Sequence, residues 1–203
     1  MKCKFCKNKF EAIRTLQQFC SYECAISQAR INGLKKMEQE TKVKREAMKE
    51  NIKSLSDYKR ELQKEVNLIA RLIDQDCPCI SSGRTTGKMN GGHRYAVGGW
   101  DNLRFNLFNI WIQSEADNTH KHGNPSGYDK QLTDFGLYDY IHDLNAIYPK
   151  MKWNKEELKE AIKTAKKCVK DLIKLNQSEQ IPRTIEQRIE KRKHYNKLLN
   201  IYL

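Results

Sequence analysis

Four of the chain's seven cysteines fall within its first 24 residues, as Cys3-x2-Cys6, thirteen intervening residues, and Cys20-x3-Cys24. Two short thiolate pairs at this spacing are what Zn²⁺ needs for tetrahedral closure, because one tight turn or helix start delivers both ligands of a pair. A 24-residue segment has too little core to bury four free thiols, so the pattern predicts a metal-stapled knuckle. Ser21 is placed to cap a helix that carries Cys24, whose dipole favours the thiolate. A four-thiolate site has no open coordination position, so this zinc is expected to be structural. An odd cysteine count in a lysine-rich chain whose start, Met1-Lys2-Cys3-Lys4, lacks an apolar signal core argues against a disulfide framework. A reducing, cytosolic setting is expected, and no run of 18 apolar residues predicts a membrane span.

Charge is distributed unevenly over the 203 residues. Residues 1–70 and 150–203 carry 31 basic and 16 acidic groups, whereas 71–149 carry 7 and 9. Basic flanks around a slightly acidic centre suit a polyanion gripped outside and a metal-dependent event inside. From Ala25 to about Asn51, sparse apolar positions among Lys, Glu and Gln predict a solvated linker helix rather than a coiled coil. Ser54-Leu55-Ser56-Asp57 has capping-box spacing ahead of Tyr58, Leu62, Val66, Ile69, Leu72 and Ile73, which predicts a helix packed on the central unit. Nine of the ten glycines lie between Gly83 and Gly136, and Arg94–Val97 and Leu103–Phe105 read as short strands of a hairpin module. A helical segment at 129–147 is ended by Pro149. Asn154 caps a basic amphipathic helix through about Leu175, and Pro182 opens a last helix, Arg183 to Tyr202. The fold class expected is α+β and mostly helical: a zinc knuckle (1–28), a charged linker helix (29–53), a central core with its preceding helix (54–150) and basic C-terminal helices (151–203).

The central segment gathers polar groups with chemical capacity. Gly91-Gly92-His93 is followed by Asn109-Ile110 and by Asn118-Thr119-His120-Lys121-His122-Gly123-Asn124. A His ending one strand, an Asn in the return segment and an Asn/His cluster after it can surround one cleft, and such a cleft supports metal-assisted phosphodiester hydrolysis. The divalent ion neutralises phosphate charge while a neutral imidazole takes a proton from water.

These residues also carry a resemblance. Cys77-Pro78-Cys79-Ile80-Ser81-Ser82-Gly83, Gly91-Gly92-His93, Asn102-Leu103-Arg104-Phe105-Asn106, Asn109-Ile110 and Asn118 to Asn124, with the opening Cys3-Lys4-Phe5-Cys6 and Cys20-Ser21-Tyr22-Glu23-Cys24-Ala25, resemble the phage lambda NinG (Rap) recombination endonuclease family. The resemblance covers about residues 1–30 and 68–128. It implies an HNH-like ββα-metal core and a structure-specific endonuclease that cuts branched recombination intermediates, Holliday junctions and D-loops, using Mg²⁺ or Mn²⁺. By that pattern His93 is the general base, Asn109 braces the loop, and His120 completes the catalytic set. His93, Asn118, His120 and His122 are the candidate ligands of the catalytic metal. Arg94, Arg104 and Lys121, with Lys163, Lys166, Lys167 and Lys170 of the basic helix, are candidate DNA contacts. Arg188, Lys191, Arg192 and Lys193 extend that basic tail and can track phosphates. Branched DNA is the implied partner, with phage recombination proteins beside it, in the bacterial host cytoplasm; a two-fold junction invites a homodimer.

The chain departs from the pattern around the core. Where two cysteine pairs clamp a second zinc in related modules, it has Cys79 and Ser82, then Ser114 and Asp117. One thiolate, two hydroxyls and a carboxylate make a poor zinc site, so none is expected there, and packing by Trp100, Phe105, Phe108 and Trp111 is expected to hold the core. The same departure sustains an alternative, a non-catalytic zinc-containing DNA-binding accessory protein.

Overall fold

A computed structural model describes residues 1–147 and 152–201. Internal contacts divide it into two units, Met1–Lys53 and Ser54–Leu203.

In the first unit the chain makes a small knuckle closed by an antiparallel bridge between Lys2 and Lys9, then enters helix α1, Tyr22–Ile52. Ser21 is the N-cap and accepts a hydrogen bond from the Cys24 amide, as its position predicts. The helix starts earlier than Ala25 because this cap is part of the knuckle itself. It has 31 residues, about 46 Å at the α-helical rise, and none is buried.

The second unit is a mostly helical α+β fold. Helix α2 (Leu55–Ile73) opens with a capping box in which Ser54 and Asp57 satisfy each other's backbone amides. Strands β1 (Met89–His93) and β2 (Ile110–Ser114) form a two-stranded antiparallel sheet, with His93 opposite Ile110 and Gly92 opposite Trp111. A wide π-type turn, Ala116–His120, leads to α3 (Pro125–Asp134) and α4 (Tyr138–Ile147). Gly136, with φ +67, makes the break between them. Helix α5 (Lys155–Ser178) begins at the Asn154–Glu157 capping box, and α6 (Ile185–Leu198) begins at Thr184. Pro149, Tyr202 and the boundary at 150/151 lie outside the described residues.

The expected strands at Arg94–Val97 and Leu103–Phe105 are corrected: the first is a loop and the second a turn, and the sheet lies on either side of them. The glycines explain the displacement. A Cβ on Gly91 would sit 3.0 Å from the Asn67 carbonyl oxygen of α2, and one on Gly92 would sit 2.0 Å from Gln113 Oε1. Residues poor in strand propensity are used because the backbone must pass against a helix and a buried amide.

Two apolar cores support this sheet. One joins α2, α5 and the start of β2 through Leu62, Val66, Ile69, Ile162, Leu172 and Ile110. The other joins Phe108, Trp111, Tyr128, Leu132 and Ile141. Phe105, Phe108 and Trp111 are buried as expected, but Trp100 stays 39% exposed and is not part of either core. Cys168 is an ordinary buried position of α5.

Asp74, fully buried, accepts hydrogen bonds from Arg188 Nε (2.8 Å), Arg192 Nη2 (2.7 Å) and the Ile112 amide (2.9 Å). The Arg192 guanidinium lies 3.4 Å from the Trp111 ring centroid and also donates to the carbonyls of Leu107 and Ile110. Arg188 and Arg192 are therefore the bolt that fixes α6 to β2, and their expected contact with phosphates is corrected by their burial. Burial alone would raise the Asp74 carboxyl, but the two guanidiniums outweigh it and hold it below the usual carboxylate range. Lys191 and Lys193 are ion-paired with Glu179 and Glu190.

Candidate functional site

In the first unit the four thiols converge. The sulfurs of Cys3, Cys6, Cys20 and Cys24 all lie within 4.8 Å of one another, with Cys6–Cys20 and Cys20–Cys24 each at 3.5 Å. Tetrahedral bonds of about 2.3 Å place thiolate sulfurs just under 4 Å apart, so this donor set fits zinc. Lys7 takes a left-handed φ of 64 and donates its amide to the Cys3 carbonyl, turning the chain sharply after the first pair. Hydrogen bonding with the thiols of Cys24, Cys6 and Cys3, with burial and the Cys24 charge adding to it, pushes the Cys20 thiol up to about 12. Four protein sulfurs would leave a bound zinc no open coordination position.

The second unit holds the polar residues singled out in the centre of the chain. His93 ends β1, with Nε2 lying 3.0 Å from the Arg104 carbonyl oxygen and 3.1 Å from the Gln63 side-chain nitrogen. The Arg104 carbonyl only accepts and favours hydrogen on Nε2, which leaves the lone pair on Nδ1, whereas the Gln63 amide nitrogen only donates and favours the other tautomer. Burial lowers the His93 pKa to about 4 and the Arg104 charge adds to this, against the opposing pull of the Arg104 carbonyl. The imidazole is neutral at pH 7.

Asn109 spends its whole amide on the connection between the strands. Its Oδ1 accepts from the Tyr95 amide at 2.8 Å, and its Nδ2 donates to the carbonyls of Tyr95 and Leu103, both at 3.1 Å. The Arg94 amide donates to the Asn109 carbonyl at 2.9 Å. One side chain thus ties Tyr95 to Leu103, while the Asn109 backbone holds Arg94. Arg94 makes a bidentate pair with Asp129. The Arg104 side chain is 16% exposed and 3.6 Å from Asp101, and its Nε is buried without a hydrogen-bond partner.

Asn118 and His120 lie in the wide turn after β2, Asn118 half-buried and His120 exposed, and exposed His122 follows. Among the described residues, only the four N-terminal cysteines gather three or more His, Cys, Asp or Glu ligand atoms within 4.8 Å. His93, His120 and His122 are not brought into such a group. Lys121 is exposed and pairs with Asp117 at 3.0 Å. On α5, Lys163, Lys166, Lys167 and Lys170 are all exposed, with Lys163 beside Glu160 and Lys166 beside Glu61.

The positions that depart from a second cysteine clamp nonetheless meet. Asp117 accepts from Ser114 Oγ (3.0 Å), Ser81 Oγ (3.3 Å) and Cys79 Sγ (3.4 Å), while the Ser114 amide donates to Cys79 Sγ at 3.1 Å. The Ser82 hydroxyl, then Lys121, Ser114 and Cys79, hold the Asp117 carboxyl well below the carboxylate range in spite of its burial. Packing is therefore not all that holds the hairpin to the turn: a hydrogen-bonded knot on one carboxylate closes it too.

Sequence reasoning passed over Lys59, Gln63 and Asn67, one polar stripe of α2 at four-residue spacing. Lys59 pairs with Asp101 at 2.7 Å, and Gln63 meets both His93 and Asn67. Such a stripe reads as the solvated face of an amphipathic helix, and nothing local distinguishes it.

This arrangement defines a mostly helical α+β protein with four convergent cysteines that could hold a metal ion and a hairpin whose first strand ends in a neutral histidine. The family model "Bacteriophage Lambda NinG protein" matches residues 1–177, and the chain belongs to that family. It is 30% identical over 186 residues to protein ninG of Enterobacteria phage H19B, covering 84% of this chain and 92% of that one. Protein ninG of phage lambda is 29% identical over 182 residues (82% and 89%), and that of Salmonella phage P22 is 28% identical over 182 (82% and 90%). No solved structure matches the chain. No helix among the described residues is long and apolar enough to cross a membrane.

Proposed function

We propose that the protein is a divalent-metal-dependent endodeoxyribonuclease for branched DNA, with its chemistry at His93 in an HNH-like ββα core. The observation that carries the reading is the pairing of a neutral His93 with a loop tied down by Asn109. Nδ1 of His93 takes a proton from the attacking water. The water oxygen bonds to phosphorus as the bond to one ester oxygen breaks. Arg104, whose carbonyl meets His93, is the candidate cation for a phosphate oxygen at this site. Asn109 acts on the backbone and keeps His93 in register.

Mg²⁺ or Mn²⁺, when bound, supplies neutralisation of phosphate charge and stabilisation of the leaving oxygen. His93 Nε2 is engaged by the backbone, and Nδ1 cannot serve as base and ligand together. The candidate ligands that remain are Asn118, His120 and His122, and with no ligand cluster around them no step is routed through the metal. The zinc knuckle and the exposed lysines of α5 serve as phosphate-tracking surface, which predicts steep salt dependence.

Cleavage of labelled four-way junction and matched duplex, with Mg²⁺, Mn²⁺ or EDTA, tests the reading. Metal-dependent cutting of the junction that disappears in His93→Ala supports it. The second reading, a non-catalytic DNA-binding accessory protein, is favoured by the ungathered ligands, and it predicts junction binding without cutting under every metal.

A further inference from the structure

The loop after His93 holds an aromatic ring, Trp100, that neither core absorbs. The Trp100 ring centroid lies 5.3 Å from that of Tyr95, tilted by 52°, and Trp100 keeps 39% of its surface open. The other two tryptophans are spoken for: Trp111 is fully buried, and Trp153 is half-buried with its ring edge-on to Phe105 at 5.8 Å. Tyr95 leans on the second core and lies under the Arg94 guanidinium at 5.0 Å, while Arg94 is locked by Asp129.

The loop is ordered before anything binds. Asn109 holds both backbone groups of Tyr95, the Trp100 amide donates to Ala96, and the Leu103 amide donates to the Trp100 carbonyl. An exposed indole on such a frame loses little conformational entropy when it is covered.

We propose that Trp100, backed by Tyr95, is a stacking platform for an unpaired nucleobase at a DNA branch point. The proposal rests on the branched-DNA reading above and assigns a residue that selects the substrate. Bases inside a duplex are already stacked on both faces, whereas bases at a branch or in a single strand have an open π-face. Stacking on an aromatic side chain is tolerant of sequence. Arg104 lies on the same short stretch of chain and is the cation there that suits a phosphate beside such a base, since Arg94 is held by Asp129.

The test titrates the 203-residue protein, reconstituted with Zn²⁺, with four-way junction, single-stranded oligonucleotide and linear duplex while reading tryptophan emission and affinity. The junction and the single strand should quench the emission, and Trp100→Phe should remove most of that quench while keeping affinity near that of the wild type. Trp100→Ala should weaken junction binding roughly 5- to 100-fold and leave duplex binding within about two-fold. Trp100→Leu keeps bulk without a π-face, so it should match Trp100→Ala in binding while melting like the wild type. Undiminished junction affinity in the Ala and Leu variants, a quench that persists in Trp100→Phe, or an equal loss on duplex would each overturn the platform. If the wild type still binds and cuts junctions in those cases, the nuclease reading survives; if it binds no DNA, both fall.

Discussion

The two units are held together by opposite means. In Met1–Lys53 no residue of the 31-residue helix is buried, and Ile13 and Leu16 of the knuckle are almost fully exposed, so the four convergent sulfurs, which could hold a metal ion, stand where a core would otherwise be. In Ser54–Leu203 two apolar cores flank a two-stranded sheet, and a buried carboxylate with two guanidiniums fastens the last helix. The difference teaches where each unit can be attacked: the first through its cysteines, the second through burial.

The largest expected effect is on the first unit. Cys24→Ser, or a strong chelator, should cost most of the folding free energy that a structural zinc supplies, on the order of 10 kcal/mol in small zinc modules. Hydrogen exchange should then show loss of protection over residues 1–24, with the amides of β1, β2 and α2 unchanged. Loss of protection in both units would break the comparison.

Next comes the bolt of the second unit. Asp74→Asn leaves two buried guanidiniums without their counter-charge and should destabilise the unit by about 3–5 kcal/mol in urea unfolding. The pH dependence has a definite sign. The folded carboxyl titrates below its ordinary value of 3.8, so its contribution is present above about pH 4 and is lost as pH falls through the folded value. Wild-type stability should drop on that acid limb, and the variant should show a shallower drop. An equal slope in both would deny Asp74 this role.

A smaller effect is expected at Asn109. Asn109→Ala leaves the Tyr95 amide and the Tyr95 and Leu103 carbonyls without that partner, and should cost about 1–3 kcal/mol. Exchange at residues 95–103 should quicken, and cleavage should fall further than stability alone explains. Smallest of all is Gly33→Ala, in the middle of α1 with nothing within 4 Å of a built Cβ. It should raise helicity and add about 0.5–1 kcal/mol to that helix without moving the unfolding midpoint of the second unit.

What the sequence made legible was local. The thiolate spacing, the caps at Ser21, Ser54 and Asn154, and the burial of Phe105, Phe108 and Trp111 follow from short-range pattern, and all are seen. A strand ending at His93 is expected and is seen, whereas the strands placed at 94–97 and 103–105 are not, because Met89–His93 contains two glycines and only the approach of α2 and Gln113 explains why glycine is needed there. Arg192 was read as a solvated or phosphate-tracking cation because it sits on a highly charged helix, yet it is fully buried against Trp111 and Asp74. Trp100 and Trp111 are equally apolar in sequence, and only the register of β2 decides which one the core takes. At the candidate site His93 and Asn109 were visible, whereas Gln63 and the lone Nε of Arg104 depend on tertiary contacts that no spacing encodes.

The most direct test of the central claim is the single-turnover cleavage rate of bound four-way junction by the wild type and by His93→Gln, measured with saturating Mg²⁺ or Mn²⁺ and with junction affinity determined separately. A general base at His93 predicts unchanged affinity and a rate lower by about 10² to 10⁴. A variant that cuts as fast as the wild type, or a wild type that binds the junction and never cuts it, would contradict the account.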